Sequence, residues 1–277
     1  MNALVCPIRT ETLMVATDGS EHGESAVREA INLAKICSSN LIALFVVKTN
    51  LEFDSVLPRF AEKEEQAAVK HLESVKAQAT KEGVNCMTTV SLGEEPYEDI
   101  IRHASSNNVD LIIMGTHGKT EMKRLMMGSV TARVIGHAHC NILVVPLDAK
   151  VEFRNVLIAT DGSTYSEAAA SVALGIAKRC GNSLIVISVA SSDAEMASAK
   201  DNVNKVSEAA EKEGVKTMAV VAKGKPYEAI VETSKQKKAD VIVIGSHGRT
   251  GLARLLMGSV TERVIGHAEV AVLVVKA

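Results

Sequence analysis

LIIMGTHG at residues 111–118 is followed, after nine further residues, by GSVTARVIGHA at residues 128–138. A second copy reads VIVIGSHG at residues 241–248 and, again after nine residues, GSVTERVIGHA at residues 258–268. Each copy starts as a continuous apolar run, which is typical of a parallel strand buried on both faces, and passes through glycines into a helical pattern. A strand that delivers glycines to a helix N-terminus gathers backbone N–H groups around an anion. The stretch therefore predicts an α/β fold with two phosphate-binding sites.

The repeat extends through the whole chain of 277 residues. LMVATDGS at residues 13–20 returns as VLIATDGS at residues 156–163, and PYE at residues 96–98 returns at residues 226–228. The first copy is the longer one, and most of its extra residues lie around 50–60. This period is much longer than the roughly 20–50 residues of a solenoid repeat, so it indicates duplication of a whole domain. We predict one nucleotide-binding domain at residues 1–149 and a second at residues 150–277, close neighbours because their connection is short.

Composition narrows the classes of protein that remain. Hydrophobic residues make up 47% and charged residues 23% of the chain, as in ordinary soluble globular proteins. The net charge of −2 argues against a nucleic-acid partner, which calls for a basic excess. No apolar run approaches the ~20 residues of a membrane span, and the N-terminus does not look like an export signal. We therefore expect a cytoplasmic protein without a nucleic-acid or membrane partner.

The chain has five cysteines, and no two of them form a Cys-x-x-Cys pair. Such spacing does not support a zinc site. We expect all five to be reduced, small apolar residues in a reducing compartment.

Strands and helices alternate in each half, which predicts right-handed crossovers and a parallel sheet with helices on both faces. The third strand of each half is the least apolar and is placed nearer an edge. Ser20 and Ser163 or Thr164 are expected to cap the first helices, and Pro96 and Pro226 to begin the third helices. The predicted strands are 13–17, 41–47, 85–91, 111–115 and 141–145, then 156–160, 184–189, 216–222, 241–245 and 271–275.

The spacing of the glycines excludes two familiar phosphate-binding motifs. A Walker A loop ending at Gly118-Lys119-Thr120 needs glycine where Ile113 stands, and the second copy has Arg249 in place of the lysine. The Gly-x-Gly-x-x-Gly fingerprint of dinucleotide-binding folds follows neither first strand. The plainer alternative is that the glycines are only turn residues between strand and helix, but two complete copies make that reading much weaker than a binding role.

The two halves resemble the universal stress protein family in its tandem, two-domain form, and the similarity covers essentially the whole chain. G-x-x-G-x9-G-[ST] is the ATP-binding signature of that family, and both copies are complete. The resemblance implies two Rossmann-like domains of the adenine nucleotide alpha hydrolase-like class, each built on a five-stranded parallel sheet. It implies ATP or AMP as the ligand, with magnesium as a candidate companion ion.

Carried over by position, the resemblance assigns equivalent residues in the two halves. The residues at the end of the first strand and on the second strand would line adenosine. Those at the end of the fourth strand would lie under the ribose, and the later glycines and the helix start would contact the phosphates. The first set is Ala16, Thr17, Asp18, Val46, Met114, Gly115, Gly118, Gly128, Ser129, Val130 and Thr131. The second set is Ala159, Thr160, Asp161, Val189, Ile244, Gly245, Gly248, Gly258, Ser259, Val260 and Thr261.

Several of these positions have a second interpretation. Asp18 and Asp161 would touch a ribose hydroxyl or a metal-bound water, or would instead cap the turn at the following glycine. His117 and His247 are interpreted as loop-packing residues, and no catalytic or metal-ligating residue is predicted. The apolar residues within 122–127 and 252–257 form either a flap or partner surface or a short helix over the core, and residues 49–60 reshape the rim of the first site.

The resemblance implies a sensing or regulatory role in stress response. The alternatives are a slow ATP hydrolase or phosphotransferase, and an interaction module that works without nucleotide through an unidentified protein partner. Family members of one domain are implied to dimerise through their last strand. We therefore predict that residues 141–145 and 271–275 pair antiparallel within one chain, an intramolecular pseudo-dimer, with a further homodimer left open.

Overall fold

One ten-stranded sheet runs through the molecule in the computed structural model, which describes residues 5–49, 58–118, 127–249 and 257–277. Its order is β3-β2-β1-β4-β5-β10-β9-β6-β7-β8, and within each half all neighbouring strands are parallel. The predicted fold class is confirmed, as is the placing of the third strand of each half at an edge. The strands are β1 (Thr12–Ala16), β2 (Asn40–Lys48), β3 (Cys86–Gly93), β4 (Leu111–Gly115), β5 (Asn141–Val145), β6 (Val156–Ala159), β7 (Leu184–Ala190), β8 (Thr217–Lys223), β9 (Val241–Gly245) and β10 (Ala271–Val275).

Helices cover both faces of the sheet, and each face has one apolar core that continues across the two halves. Helices α1, α2, α5 and α6 pack on one face, and α3, α4, α7 and α8 pack on the other. Their bounds are α1 (Glu21–Cys37), α2 (Pro58–Lys81), α3 (Pro96–Ser106), α4 (Ser129–His137), α5 (Thr164–Cys180), α6 (Met196–Lys212), α7 (Pro226–Gln236) and α8 (Ser259–His267), with a short 3-10 helix at Asp193–Glu195.

The local signals act as the sequence predicts. Ser20 caps α1 by accepting the amide N–H of Gly23, and Ser163 caps α5 by accepting that of Ser166. Gly83 and Gly214 follow α2 and α6 with φ of 74° and 75°, a backbone conformation that favours glycine. These signals fix where the chain leaves each helix and returns to the sheet.

The two halves join at their last strands, so the predicted antiparallel pairing is confirmed. Leu273 of β10 lies opposite Leu143 of β5, flanked by the pairs Val272–Val144 and Val274–Ile142. Both leucine side chains are 0% exposed. The pairing removes two edges that would otherwise expose apolar strands.

A disulfide joins Cys6 to Cys37, so the expectation that all five cysteines are reduced is wrong for this pair. Cys6 precedes β1 and Cys37 ends α1, and the fold brings the N-terminal segment back against that helix end. Spacing along the chain cannot reveal this contact, because 31 residues separate the two cysteines. Cys86, Cys140 and Cys180 are free.

We expect alkylation of the denatured protein without reductant to label three cysteines, namely Cys86, Cys140 and Cys180. After reduction, all five should react. Mass spectrometry of the intact chain distinguishes the two states. Five labels before reduction would show that the Cys6–Cys37 bond is absent from the isolated protein.

Among the helices of the described ranges, none is long and apolar enough to cross a membrane.

Candidate functional site

Each half contains a cavity at the carboxyl ends of its strands, beside the point where the strand order reverses. From β1 the chain proceeds outward to β2, while β4 lies on the other side of β1. Open α/β sheets bind their ligands at such a switch point. The first cavity measures about 450 Å³ and the second about 330 Å³. Both lie within the range of roughly 300–1,000 Å³ that is typical of small-molecule sites.

The structure brings together every residue that the sequence predicts for each site. Those of the first half all line the first cavity, and those of the second half all line the second. Residues more than 100 positions apart therefore meet at one end of the sheet, as the parallel topology requires.

Asp18 holds the turn that follows β1. Its Oδ1 accepts hydrogen bonds from the amide N–H of Ser20 at 3.0 Å and from the Ser20 hydroxyl at 2.6 Å. Asp161 makes the same two bonds with Ser163. The turn-capping role that the sequence left open is thus present in both halves, and Oδ2 of each carboxylate lies beside Gly118 or Gly248 of the glycine loop.

In the second half the other oxygen of Asp161 is also engaged. Asp161 Oδ2 accepts the amide N–H of Arg249 at 2.9 Å, while Arg249 Nε donates to the Asp161 carbonyl at 2.5 Å. Burial raises the pKa of the Asp161 carboxyl, but hydrogen bonds from Ser163 and Arg249 outweigh burial and hold the pKa below its ordinary value. The carboxylate therefore stays ionised at neutral pH and ties the β9–α8 loop to the β6–α5 loop.

One pair of motif glycines is required by the fold itself, and a second pair lies against side chains. A Cβ at Gly115 would lie 2.7 Å from the carbonyl oxygen of His22, and one at Gly245 would lie 2.8 Å from the carbonyl carbon of Tyr165. These are backbone atoms of α1 and α5, which cannot easily move away. Gly118 and Gly248 approach the Asp carboxylates instead, with 2.7 Å and 2.8 Å from the Cβ position to Oδ2 of Asp18 and Asp161.

Gly128 and Gly258 differ from those glycines. Their φ angles of −59° and −67° are open to any residue. A Cβ would lie 3.4 Å from the Thr116 carbonyl oxygen at Gly128 and 3.3 Å from the Cα of His247 at Gly258. Among the described residues, then, nothing forbids a small side chain beyond a shift of a few tenths of an ångström. The backbone angles and the described neighbours therefore do not by themselves require glycine at these two positions.

The helices that start at these glycines present their first turn to the cavity. Neither α4 nor α8 has a side-chain cap at its N-terminus, in contrast to α1 and α5. The Thr131 hydroxyl donates to the Gly115 carbonyl at 3.1 Å, and Thr261 makes the same bond to Gly245 at 2.8 Å. The threonines anchor each helix to its strand. The first-turn N–H groups form the positive end of the helix dipole, and the exposed Ser129 and Ser259 line the cavities beside them.

His117 and His247 pack as the sequence predicts, each against an aromatic ring. The ring of His117 lies 4.9 Å from that of His22, and His247 lies 5.0 Å from Tyr165. Burial, together with the neighbouring His117, lowers the pKa of the His22 imidazole, which is therefore neutral at pH 7. Both histidines of the motif also line the cavities.

Sequence reasoning missed several residues that line the cavities or support their walls. His71 on α2 reaches the Thr17 hydroxyl, and Lys48 and Glu64 line the first cavity. Glu195 and Arg249 line the second. His71 and Glu64 lie on the long charged helix α2, Lys48 ends β2, Glu195 ends the 3-10 helix and Arg249 follows a motif glycine. No local pattern distinguishes these side chains from solvent-facing charges. The rim segment 49–60 and the apolar segments 122–127 and 252–257 lie largely outside the described residues, within which Met127 and Met257 are buried.

Comparison with known proteins matches both halves of the chain to one family. The profile of the universal stress protein family matches residues 10–146 and again residues 152–276. A universal stress protein of Methanocaldococcus jannaschii is 39% identical over 137 residues, which are 48% of this chain and 80% of that protein. One of Mycobacterium bovis is 32% identical over 189 residues, 62% of this chain and 63% of its own length. The crystal structure of a universal stress protein from Archaeoglobus fulgidus superposes with a TM-score of 0.79, covering 96% of this chain and 98% of that one at 24% identity, and so supports the fold.

Proposed function

Because the chain belongs to the universal stress protein family, with one family domain in each half, we propose that it binds an adenine nucleotide, ATP or AMP, in both cavities. The proposed ligand residues are the two sets predicted from sequence. Adenosine would lie against the ends of the first two strands, and the phosphates would lie between Gly118 and Gly128 or between Gly248 and Gly258. The proposed domain division at residues 149 and 150 gives one complete site to each half.

The observation that carries this proposal is the backbone conformation and the position of Gly128 and Gly258. Their backbone angles are ordinary, yet each stands at the uncapped start of a helix and borders a cavity. A phosphate bound at the first-turn N–H groups would occupy the space beside a glycine and would collide with a branched side chain. The described residues around each position leave room for a Cβ after a shift of a few tenths of an ångström, so the turn alone does not explain why glycine stands there.

Magnesium would enter with the phosphates. Mg²⁺ commonly binds through one or two carboxylates together with substrate phosphates, and it keeps several waters. Asp18 and Asp161 would contact such an ion through one of its waters, because their Oδ2 atoms lie beside the motif glycines. Asp161 would have to share Oδ2 with the Arg249 amide.

The proposed role is sensing or regulation in a stress response, in the cytoplasm, with the bound nucleotide as a signal. Incubation with ATP and magnesium tests binding against turnover. At 100 times the dissociation constant, binding should raise the melting temperature on the order of 5 °C. Release of phosphate should stay far below ~1 s⁻¹, the low end of enzyme turnover.

Turnover at or above that rate would favour the hydrolase or phosphotransferase alternative. An unchanged melting temperature at millimolar ATP, ADP and AMP would favour the interaction module that works without nucleotide.

A further inference from the structure

The two halves hold the same turn by different hydrogen-bond networks. At the end of each first strand a threonine accepts the amide N–H of the glycine two residues later, with 3.2 Å from Gly19 N to Thr17 Oγ1 and 3.3 Å from Gly162 N to Thr160 Oγ1. Both threonines are 6% exposed and line their cavities. The two halves differ in the group that accepts the hydroxyl hydrogen of this threonine.

In the second half, a serine accepts it. Thr160 Oγ1 lies 3.2 Å from Ser166 Oγ. Ser166 donates its own hydroxyl hydrogen to the Ser163 carbonyl at 2.9 Å, so Thr160 is the donor in the pair. No member of this network changes its charge between pH 5 and 8.

In the first half, Gly23 stands where the second half has Ser166, and an imidazole takes over. His71 Nε2 lies 3.1 Å from Thr17 Oγ1, and His71 Nδ1 lies 3.3 Å from a carboxylate oxygen of Glu24. The imidazole is 13% exposed and has the Phe45 ring against it at 5.9 Å.

The position of His71 corresponds to Asn202 in the second half. There the Asn202 side chain lies against the Gly162 position and donates to Ser188 Oγ at 3.4 Å. Gly19 lies against His71 in the same way, with 3.6 Å from its Cβ position to the ring. A titratable group has therefore replaced a neutral amide behind the same turn.

The protonation of His71 decides which way the Thr17 hydroxyl points. In a neutral imidazole, Nδ1–H donates to Glu24 and Nε2 accepts the hydroxyl hydrogen of Thr17. In an imidazolium both nitrogens donate, so Thr17 Oγ1 accepts from His71 as well as from Gly19, and its hydrogen must turn to another acceptor. Because Thr17 lines the first cavity, this hydrogen can turn toward a bound nucleotide, and the added positive charge also favours an anionic ligand.

We propose that His71 is a positioning residue that makes nucleotide binding in the first half strengthen on protonation of one imidazole, while binding in the second half lacks this response. The inference rests on the proposed function. Among the described residues that contact the imidazole or line the first cavity, the charged groups are Glu24 on α1, Asp18 in the turn, Lys48 on β2 and Glu64 on α2, and the titratable His117 also lines the cavity. Glu24 contacts the imidazole directly, at 3.3 Å from Nδ1, and histidine as a residue type changes its charge between pH 5 and 8.

The test uses two single-site proteins, Gly258→Val for the first half and Gly128→Val for the second, titrated with ATP and magnesium at pH 6 and pH 8. A hydrogen bond gained to the ligand should tighten the first-half site by roughly two- to tenfold more than the second-half site. Protonation of the nucleotide itself affects both proteins and cancels in the comparison. Adding His71→Asn to Gly258→Val should remove the difference.

Two controls separate positioning from mere support of the fold. His22→Tyr copies Tyr165 of the second half and should leave the pH difference intact. The triple change Gly23→Ser, Phe45→Ser and His71→Asn copies the second-half network. Added to Gly258→Val, it should make ATP binding in the first half as independent of pH as binding in the second half. Equal pH responses in the two single-site proteins, or a response that survives His71→Asn, would overturn the inference. Loss of all ATP binding by Gly258→Val at both pH values would overturn the proposed function of the first site itself, and this inference with it.

Discussion

Gly128→Val is expected to abolish nucleotide binding in the first half and leave the second half saturable, and Gly258→Val should do the reverse. A branched side chain at the start of α4 would occupy the space where phosphate meets the first-turn N–H groups. The affinity of the altered site should fall more than about 100-fold, or ~2.7 kcal/mol. Isothermal titration calorimetry with ATP should therefore give one nucleotide per chain for either variant.

The fold should tolerate both valines, because the φ angles of these glycines suit any residue. The free energy of unfolding should change by no more than about 1 kcal/mol. Gly115→Ala is the matched control, since its Cβ would meet the His22 carbonyl oxygen at 2.7 Å and should cost about 1–3 kcal/mol of stability. If Gly128→Val unfolds the protein while Gly115→Ala does not, Gly128 is a structural turn residue and the binding interpretation of that glycine is wrong.

Leu273→Lys is expected to destroy cooperative folding of the whole chain. The side chain is 0% exposed and lies opposite Leu143 in the strand pair that joins the halves. It belongs to a core that runs through both halves, so a buried, unpaired ammonium would disturb both. Losses above about 4–5 kcal/mol are exceptional for a single substitution, and they arise from buried unpaired charges of this kind.

Urea denaturation followed by circular dichroism measures this loss. Met218→Lys provides the control, because Met218 lies on the edge strand β8 and is 47% exposed. The control should stay within about 0.5 kcal/mol of the parent protein. Equal urea midpoints for Leu273→Lys and Met218→Lys would contradict the conclusion that the pairing of β5 with β10 holds the two halves together.

The main features of the fold could be predicted because the physical signals were local and occurred twice. Buried parallel strands require continuous apolar runs, and helix caps require serine, glycine or proline at fixed positions. The pairing of β5 with β10 was predictable from the resemblance together with the apolar character of both last strands. The two sets of site residues came from the resemblance, and they line one cavity in each half because the carboxyl ends of parallel strands meet at one edge of the sheet.

Contacts between distant side chains could not be predicted in this way. The Cys6–Cys37 bond depends on the path of the segment before β1, and the reach of His71 to Thr17 depends on how α2 packs. The sequence could not tell apart the surroundings of the glycines at positions 115, 118 and 128, because all three look alike in the motif. Only the distances from each Cβ position separate a backbone clash from an approach to a carboxylate or to ligand space.

The central claim, that one chain holds two adenine nucleotides, is tested most directly by native mass spectrometry of the unmodified protein with ATP and magnesium. The account predicts that the chain saturates with a mass increase equal to two nucleotides. Saturation at one nucleotide would contradict binding in both halves, and no added mass at millimolar ATP, ADP or AMP would contradict nucleotide binding altogether.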